Sequence, residues 1–403
     1  MGMDDVTVKA AQTDEELRQA NELMAKAHFA DYWEGAEWVN TVGMTYPGFK
    51  REHIRIALHR GQVAAALRMT TDTIRVGEAR LKMAGFGCVT TDKAYRRRGL
   101  TSLVMDDAMR HLRAHRFHTA MLFGIPDFYH RWGFATALAE YSTTITLRDA
   151  SPEASPACRI RKIKPGDIPA VQRMHAANDE ETACSLVRSA AHISNQWTRW
   201  EKARVLIDEQ GKVTAYLRGR PDGTDYVVDE AGVAGYDACP ALIRAAARLA
   251  RAECAGRVKF LAPPSHPVIR HLLAFRADHA MRTDRNANGM LAVVDTGEAL
   301  ESLVPEWEHL LAGGTGGDAE VTLVVDRTPW RVRARRGAVD VSAASGRCKV
   351  SLNGRELAQL IAGFRHPEEI LHDRLPFSRG GGAAFLKTLF PKRVPFVWAA
   401  DRF

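Results

Sequence analysis

Residues 89–101 read Val89-Thr90-Thr91-Asp92-Lys93-Ala94-Tyr95-Arg96-Arg97-Arg98-Gly99-Leu100-Thr101. A β-branched run ends a strand, a basic turn follows, and Gly99 opens a helix. The first amides of a helix have no partner within it and carry partial positive charge, so such a junction is a site for a pyrophosphate. Gly99 lets the phosphates approach the backbone, where a Cβ would block them, and Arg97 and Arg98 add charge. The competing reading is a solvated basic turn ahead of a surface helix. The phosphate reading is preferred because strand, R-x-x-G and helix coincide.

Other chemistry is less well supported by the residues. No G-x-x-x-x-G-K-[ST] loop occurs, and the cluster Gly313-Gly314-Thr315-Gly316-Gly317 has no lysine or strand to use it. His111 and His115 are four apart on a helix, but a zinc site needs further ligands, so a solvated helix face is expected and no metal. Trp330 to Arg336 alternates as a basic strand face without the interleaved aromatics of a nucleic-acid platform. No nucleic-acid partner is expected.

The elements that must position the basic turn follow from periodicity. Val6 to Lys9 is a strand, and Thr13-Asp14-Glu15-Glu16 is a capping box that starts a helix to about Ala27. Ile54 to Leu58 and Val63 to Thr70 form a hairpin about Arg60-Gly61-Gln62. Thr73 to Val76, Ala79 to Met83 and Phe86 to Thr91 are further strands. Leu100 to His115 is a helix and Thr119 to Phe123 the return strand of a β-α-β unit, followed by a short helix around Phe128 to Trp132 and a final strand at Tyr141 to Leu147. Asp149 to Pro156 is a linker by composition.

Beyond it the pattern begins again. Arg159 to Ile163 is a strand, Asp167 starts a helix, and a hairpin turns at Gly211. Tyr226 to Val233, a helix from Ala241 to Cys254 and a strand at Val258 to Leu261 then repeat the order of the first half, as an internal duplication would. The second copy has Ala234 to Pro240 where the first has its basic turn, without R-x-x-G. A third segment carries strands from Val321 to Ser351 and a helix capped by Asn353 and Glu356.

The chain has 403 residues, 46% hydrophobic and 26% charged, with 56 Lys+Arg against 48 Asp+Glu and a net charge of +8. These values fit two or three ordinary globular domains and exclude a disordered or collagen-like chain. The modest basic excess suits an anionic small ligand. No run approaches the roughly 18 apolar residues of a membrane span. The opening residues lack the pattern of a signal peptide, and Val6 stands where myristoylation wants Ser or Thr. The cysteines, Cys88, Cys158, Cys184, Cys239, Cys254 and Cys348, contain no C-x-x-C pair and read as reduced core thiols of a cytoplasmic protein. No membrane partner is expected.

Arg96-Arg97-Arg98-Gly99-Leu100-Thr101 resembles the Arg/Gln-x-x-Gly-x-Gly/Ala signature of the GNAT acetyltransferases, with Thr101 at the last small position. Phe128-Tyr129-His130-Arg131-Trp132-Gly133-Phe134 is similar to the Tyr-x-Arg-Phe-Gly-Tyr segment of the Eis-like (enhanced intracellular survival) family. The resemblance implies an α/β (α+β) fold. Tandem GNAT folds, mixed sheets with flanking helices, would occupy residues 1–150 (catalytic) and 157–295 (degenerate). A sterol-carrier-like α+β domain at 296–403 would supply the C-terminus.

It also implies acetyl-CoA as co-substrate, a small-molecule or peptide amine as acceptor, and a homo-oligomer such as a hexamer. Val89, Thr90 and Thr91 would pair with the pantetheine arm. Arg97, Arg98, Gly99, Leu100, Thr101 and Ser102 would hold the pyrophosphate, and Gly124 and Ile125 would line the cofactor. Tyr129 would be the general acid and the α-carboxylate of Phe403 the general base. Phe29, Asp31 and Trp38 would line the acceptor.

The residues alone leave other readings open. Tyr129 can be a core aromatic, Phe403 a tail anchor, and Asp31 the cap of a helix among core aromatics. Arg402 stands where the family often has an acid, which argues against a pocket for polycations. A non-catalytic CoA- or lipid-binding protein, working through the third segment, is the alternative function.

Overall fold

The capping box forms as its spacing requires: Thr13 Oγ1 accepts from Glu16 N at 3.1 Å, and Glu16 Oε2 accepts from Thr13 N at 3.2 Å. It starts the helix α1 (Asp14–His28), which follows the strand β1 (Val6–Ala10). The computed structural model describes residues 5–150, 159–312, 318–372 and 381–403. The segments 151–158 and 313–317, which hold most of the expected linker, Cys158 and the glycine cluster, lie outside the described residues, as do Met1 to Asp4.

The next elements are a short helix α2 (Tyr32–Trp38), then β2 (Ile54–His59), β3 (Gln62–Met69), β4 (Asp72–Val76) and β5 (Ala79–Thr91). After these come α3 (Leu100–Ala114), β6 (Thr119–Gly124) and β7 (Ala135–Thr136). The two strands expected over 79–91 are one continuous strand of 13 residues.

The chain divides into two compact units. The first comprises residues 1–137, 284–392 and 403; the second comprises 138–283 and 393–402. The first unit's large sheet runs β1-β2-β3-β5-β6, then the strand Asn288–Val293, then β7, with β4 on β5. Among the described residues of this sheet only β5 and β6 pair in parallel, because the helix α3 carries the chain back between them. The strand expected at 141–147 does not close this sheet. Asn288–Val293 pairs with β6 instead, with Asn288 opposite Gly124.

α3 buries Leu100, Val104, Met105, Ala108, Met109 and Leu112 against Phe86, Leu122 and Phe134 on one face of the sheet. Burial of each large apolar side chain contributes about 1.5–3 kcal/mol. α1 buries Leu17, Ala20 and Met24 against Ile54, Ile56 and Ala66 on the other face. The same unit holds a four-stranded sheet, ordered 338–342, 328–335, 319–325, 349–352, and the helix Gly354–Ile361, whose Gln359 Nε2 donates to Thr136 O at 2.9 Å. In the strand Thr328–Arg335, Val332 and Ala334 are buried, while Arg331 and Arg333 on the other face are partly covered rather than fully solvated.

The second unit's sheet runs 277–282, 140–146, 257–260, 225–233, 213–222, 204–207, 159–162. Here Glu140–Thr146 lies antiparallel to Arg257–Phe260 and to Ala277–Arg282. Val394 and Pro395 pair with Thr182 and Ala183. Behind them a buried polar network forms. Arg188 donates to both oxygens of Glu230 at 2.8 and 2.6 Å and to Asp401 Oδ1 at 2.8 Å, and Trp398 Nε1 donates to Asp179 at 3.0 Å. Arg402 pairs with Glu140 at 2.9 Å.

Among the described cysteines none is in a disulfide. Cys184 and Cys239 are buried and Cys88 largely so, but Cys254 and Cys348 are exposed, so the expectation of core thiols fails for those two. Both lie at positive φ, 56° and 51°. No helix among the described residues is long and apolar enough to cross a membrane.

Candidate active site

The site begins with a fault in pairing. Between β3 and β5, Ala66 faces Thr90 but Arg68 faces Gly87, so β5 carries one extra residue there. Cys88 takes up the bulge at φ 52°. A bulge bends a strand and ends its regular ladder. β5 accordingly pairs with β6 only as far as Phe86 opposite Leu122. Beyond that point Gly87–Thr91 and Phe123–Gly124 part, which opens a cleft between two parallel strands at their C-terminal ends.

The basic turn follows β5 through a 3-10 turn at Lys93–Tyr95, where Asp92 accepts from Ala94 N at 2.8 Å. Gly99 is the residue before α3 and sits at φ 76°, ψ 3°, a left-handed conformation that suits glycine. The Cβ of a larger residue at 99 would meet no protein atom within 4 Å. Within the chain the demand for glycine is therefore conformational. Arg96, Arg97 and Arg98 are exposed, with the Arg98 guanidinium 5.5 Å from the Tyr95 ring centroid.

α3 has no side-chain cap and no acid in its first turn, whereas α1 has a capping box and α2 is capped by Asp31. The amides of Leu100, Thr101 and Ser102 are thus left for an anion from outside the chain. Thr101, the departure from a small residue, hydrogen-bonds its hydroxyl to that of Thr91 at 2.7 Å, fastening the helix start to the end of β5. Val89 O, at the expected pantetheine strand, lies 3.2 Å from His28 Nε2.

β6 presents two different neighbours at its end, as alternating side chains must. Phe123 lies 6.1 Å, centroid to centroid, from the ring of Phe403. Gly124 lies against Tyr129: a Cβ at 124 would stand 2.5 Å from the Tyr129 ring. Phe403 also covers Gly85 and Gly87, and a Cβ at 87 would stand 2.8 Å from the Phe403 carbonyl carbon. Phe86, between those glycines, points into the α3 core with Phe134 and Tyr129. Tyr129 and Phe403 therefore approach the cleft from opposite faces of the sheet.

Tyr129 is 9% exposed, sits in a 3-10 turn at 129–132, and packs on Phe128, Trp132 and Phe134. Burial pushes its phenol up to about 12, so it holds its proton. Ile125 is 62% exposed.

The expected acceptor residues are brought only partly together. Asp31 caps α2, accepting from Glu34 N at 2.8 Å, and is exposed. Phe29 and Trp38 pack at 5.5 Å. Trp38 leads to a residue the motifs did not single out. Arg68 is 4% exposed, and its guanidinium lies 5.6, 5.8 and 5.9 Å from the rings of Trp38, Tyr46 and Phe49. It donates to Gly43 O, and its Nε has no hydrogen-bond partner among the described residues. Opposite Gly87, it occupies the face of the sheet that Phe403 covers. In the sequence Arg68 is the one charge within the apolar run Val63 to Met69, which by itself does not mark a site.

The corresponding turn of the second unit differs. A 3-10 turn at Tyr236–Ala238 leads into the helix Cys239–Ala252, and Pro240 in its first turn removes one of the free amides.

Residues 8–137 match the family model described as an acetyltransferase (GNAT) domain. That stretch ends where the first segment of the first unit ends. No curated protein sequence matches the chain. Among solved structures, the chain is similar to a GCN5-related N-acetyltransferase from Anabaena variabilis, with a TM-score of 0.76 and 15% identity over 99% of this chain and 100% of that one. It is similar to a GCN5-related N-acetyltransferase from Kribbella flavida, with a TM-score of 0.72 and 20% identity over the whole of both chains. It is also similar to Eis1 from Mycobacterium abscessus, with a TM-score of 0.67 and 15% identity over 99% of this chain and 100% of that one. The structural likeness is one of fold. With the domain match it defines the class, an acyltransferase built on the GNAT fold.

Proposed function

We propose that the protein is an acetyl-CoA-dependent N-acetyltransferase of the Eis-like type, acting on an amine through a ternary complex. The observation that carries this reading is the uncapped start of α3 at left-handed Gly99, beside the bulged end of β5. The first-turn amides and Arg97 and Arg98 would hold the pyrophosphate, and Val89 to Thr91 with Gly124 and Ile125 would flank the arm. When bound, acetyl-CoA supplies an acetyl group activated as a thioester. The chain's own task is then proton traffic. The α-carboxylate of Phe403 would accept a proton from the acceptor ammonium, directly or through water. The Tyr129 phenol, protonated at neutral pH, donates one to the departing thiolate.

The strand order supports a tandem GNAT reading. In both sheets an antiparallel pair precedes a strand, a helix and a parallel strand, and the next position is filled by a strand from further along or further back in the chain. The second unit lacks the left-handed glycine before its helix and loses one first-turn amide to Pro240, and we assign it a scaffolding role. The four-stranded sheet with its helices fits the sterol-carrier-like segment, which we read as a carrier of the C-terminal tail.

Calorimetry with acetyl-CoA and an assay of thiol release over a panel of amines test the proposal. Saturable binding with amine-dependent thiol release is expected. Absence of heat with acetyl-CoA, or binding without transfer to any amine, overturns it.

A further inference from the structure

The C-terminal end of α3 carries His111, with His115 as its C-cap, and the structure brings a third group to them. Glu52, in the 3-10 turn Arg51–His53 that precedes β2, reaches the same place. One donor atom from each of the three lies within 4.8 Å of the other two. The two imidazoles stack with centroids 4.0 Å apart, as positions four apart on a helix allow. From these three side chains we infer a binding site for a divalent zinc-like cation, with two imidazoles and one carboxylate as ligands and a position left for water.

The chemistry of the donors fits. Zinc takes imidazole nitrogen and carboxylate oxygen at about 2.0–2.2 Å, so tetrahedral ligands stand about 3.3 Å apart. Rotation of solvent-facing side chains closes the remaining distance, since Glu52 and His115 are exposed and His111 is half-buried. The ring of His115 is already oriented. Its Nδ1 lies 2.8 Å from His111 O, and a carbonyl can only accept, so Nδ1 carries the proton and Nε2 keeps its lone pair for a metal. Two nearby cations compete: Lys50 Nζ lies 3.7 Å from a Glu52 oxygen on two exposed side chains, a weak contact, and the Arg55 charge that acts on His111 is paired with Asp107.

A cation here would tie the C-terminal half of α3 to the turn before β2. Arg55 and Asp107 make a second tie between β2 and the same helix. The site lies outside the proposed catalytic machinery, and it stands or falls independently of that reading.

The test is titration of the full-length, tag-free protein with Co²⁺ alone, read by visible absorption, followed by competition with Zn²⁺. Thermal unfolding is run with and without Zn²⁺. The expected result is one tight equivalent per chain with the ligand-field bands of a four- or five-coordinate ion, and a rise in Tm with Zn²⁺. Both effects should weaken by roughly tenfold or more in affinity in His115→Ala and in Glu52→Gln. Circular dichroism checks that each variant is folded, and Glu52→Gln, on an exposed turn, keeps the test open should His115→Ala misfold. No saturable site in the wild type, or wild-type affinity and spectrum in either folded variant, overturns the inference.

Discussion

At Tyr129 burial reinforces the protonated state of a phenol. Its ring packs among Phe128, Trp132 and Phe134, and burial pushes its phenol up to about 12. In the proposed role it must hold a proton, and it does so at every pH below that value. Deprotonation of this group therefore cannot produce a loss of kcat near neutrality; any basic limb there belongs to another group. Tyr129→Phe keeps the ring and removes the proton. The expected outcome is a fall in kcat of about 10²–10⁴-fold with acetyl-CoA affinity unchanged, read by steady-state kinetics beside calorimetry. An unchanged kcat would leave Tyr129 a core aromatic and nothing more. At this scale the sequence marked Gly99 and Tyr129 through local motifs. It did not mark Arg68, because a lone arginine in a strand becomes notable only when Trp38, Tyr46 and Phe49 are seen around it. Nor could spacing separate the two readings of Asp31, whose side chain the structure commits to capping α2.

Among the elements, β5 does most to shape the site. Its bulge at Cys88 ends the pairing with β6, and its glycines admit Phe403. Gly87→Ala tests that arrangement. The new Cβ would stand 2.8 Å from the Phe403 carbonyl carbon, too close for both to keep their places. Gly87 lies in an extended strand without a positive φ, so alanine is tolerated by the backbone and the effect falls on the C-terminal residue. The expected result is a kcat reduced at least ~10-fold with acetyl-CoA binding retained, since the proposed base would be displaced and the proposed phosphate site left untouched. Equal kcat in the variant would show that the position of the Phe403 carboxyl is immaterial. Most strands and helices were legible from period, caps and turn residues. Their assignment to sheets was not. Glu140–Thr146 reads as the closing strand of the first unit because it comes next in the chain, yet Asn288–Val293 takes that place. Alternation tells which face of a strand is buried, but not which of two similar sheets receives it.

At the scale of the whole molecule, the second unit is crossed by a buried network of paired charges. Arg188, Glu230 and Asp401 come from three distant parts of the chain, and all three side chains are almost completely covered. Burial raises the pKa of both carboxyls, but the Arg188 charge outweighs it and, at Asp401, the His192 hydrogen bond adds to the effect. Both are therefore held below the usual carboxylate range. A depressed carboxyl contributes stability that is present above its unfolded pKa, about 4, and is lost as pH falls through the folded value. Arg188→Met removes the cation and leaves two carboxyls buried without it. Unfolding by urea should show a loss of about 3–5 kcal/mol at about pH 7. The pH dependence should also reverse in sign. Without Arg188, burial and the Asp401 charge push Glu230 above its unfolded value while Asp401 keeps its His192 hydrogen bond, so protonation of Glu230 now favours the folded state, and the gap between wild type and variant should narrow at about pH 5. A gap that stayed constant between the two pH values would mean that the loss comes from packing against Trp200, whose ring lies 5.1 Å from the guanidinium, rather than from unpaired charge.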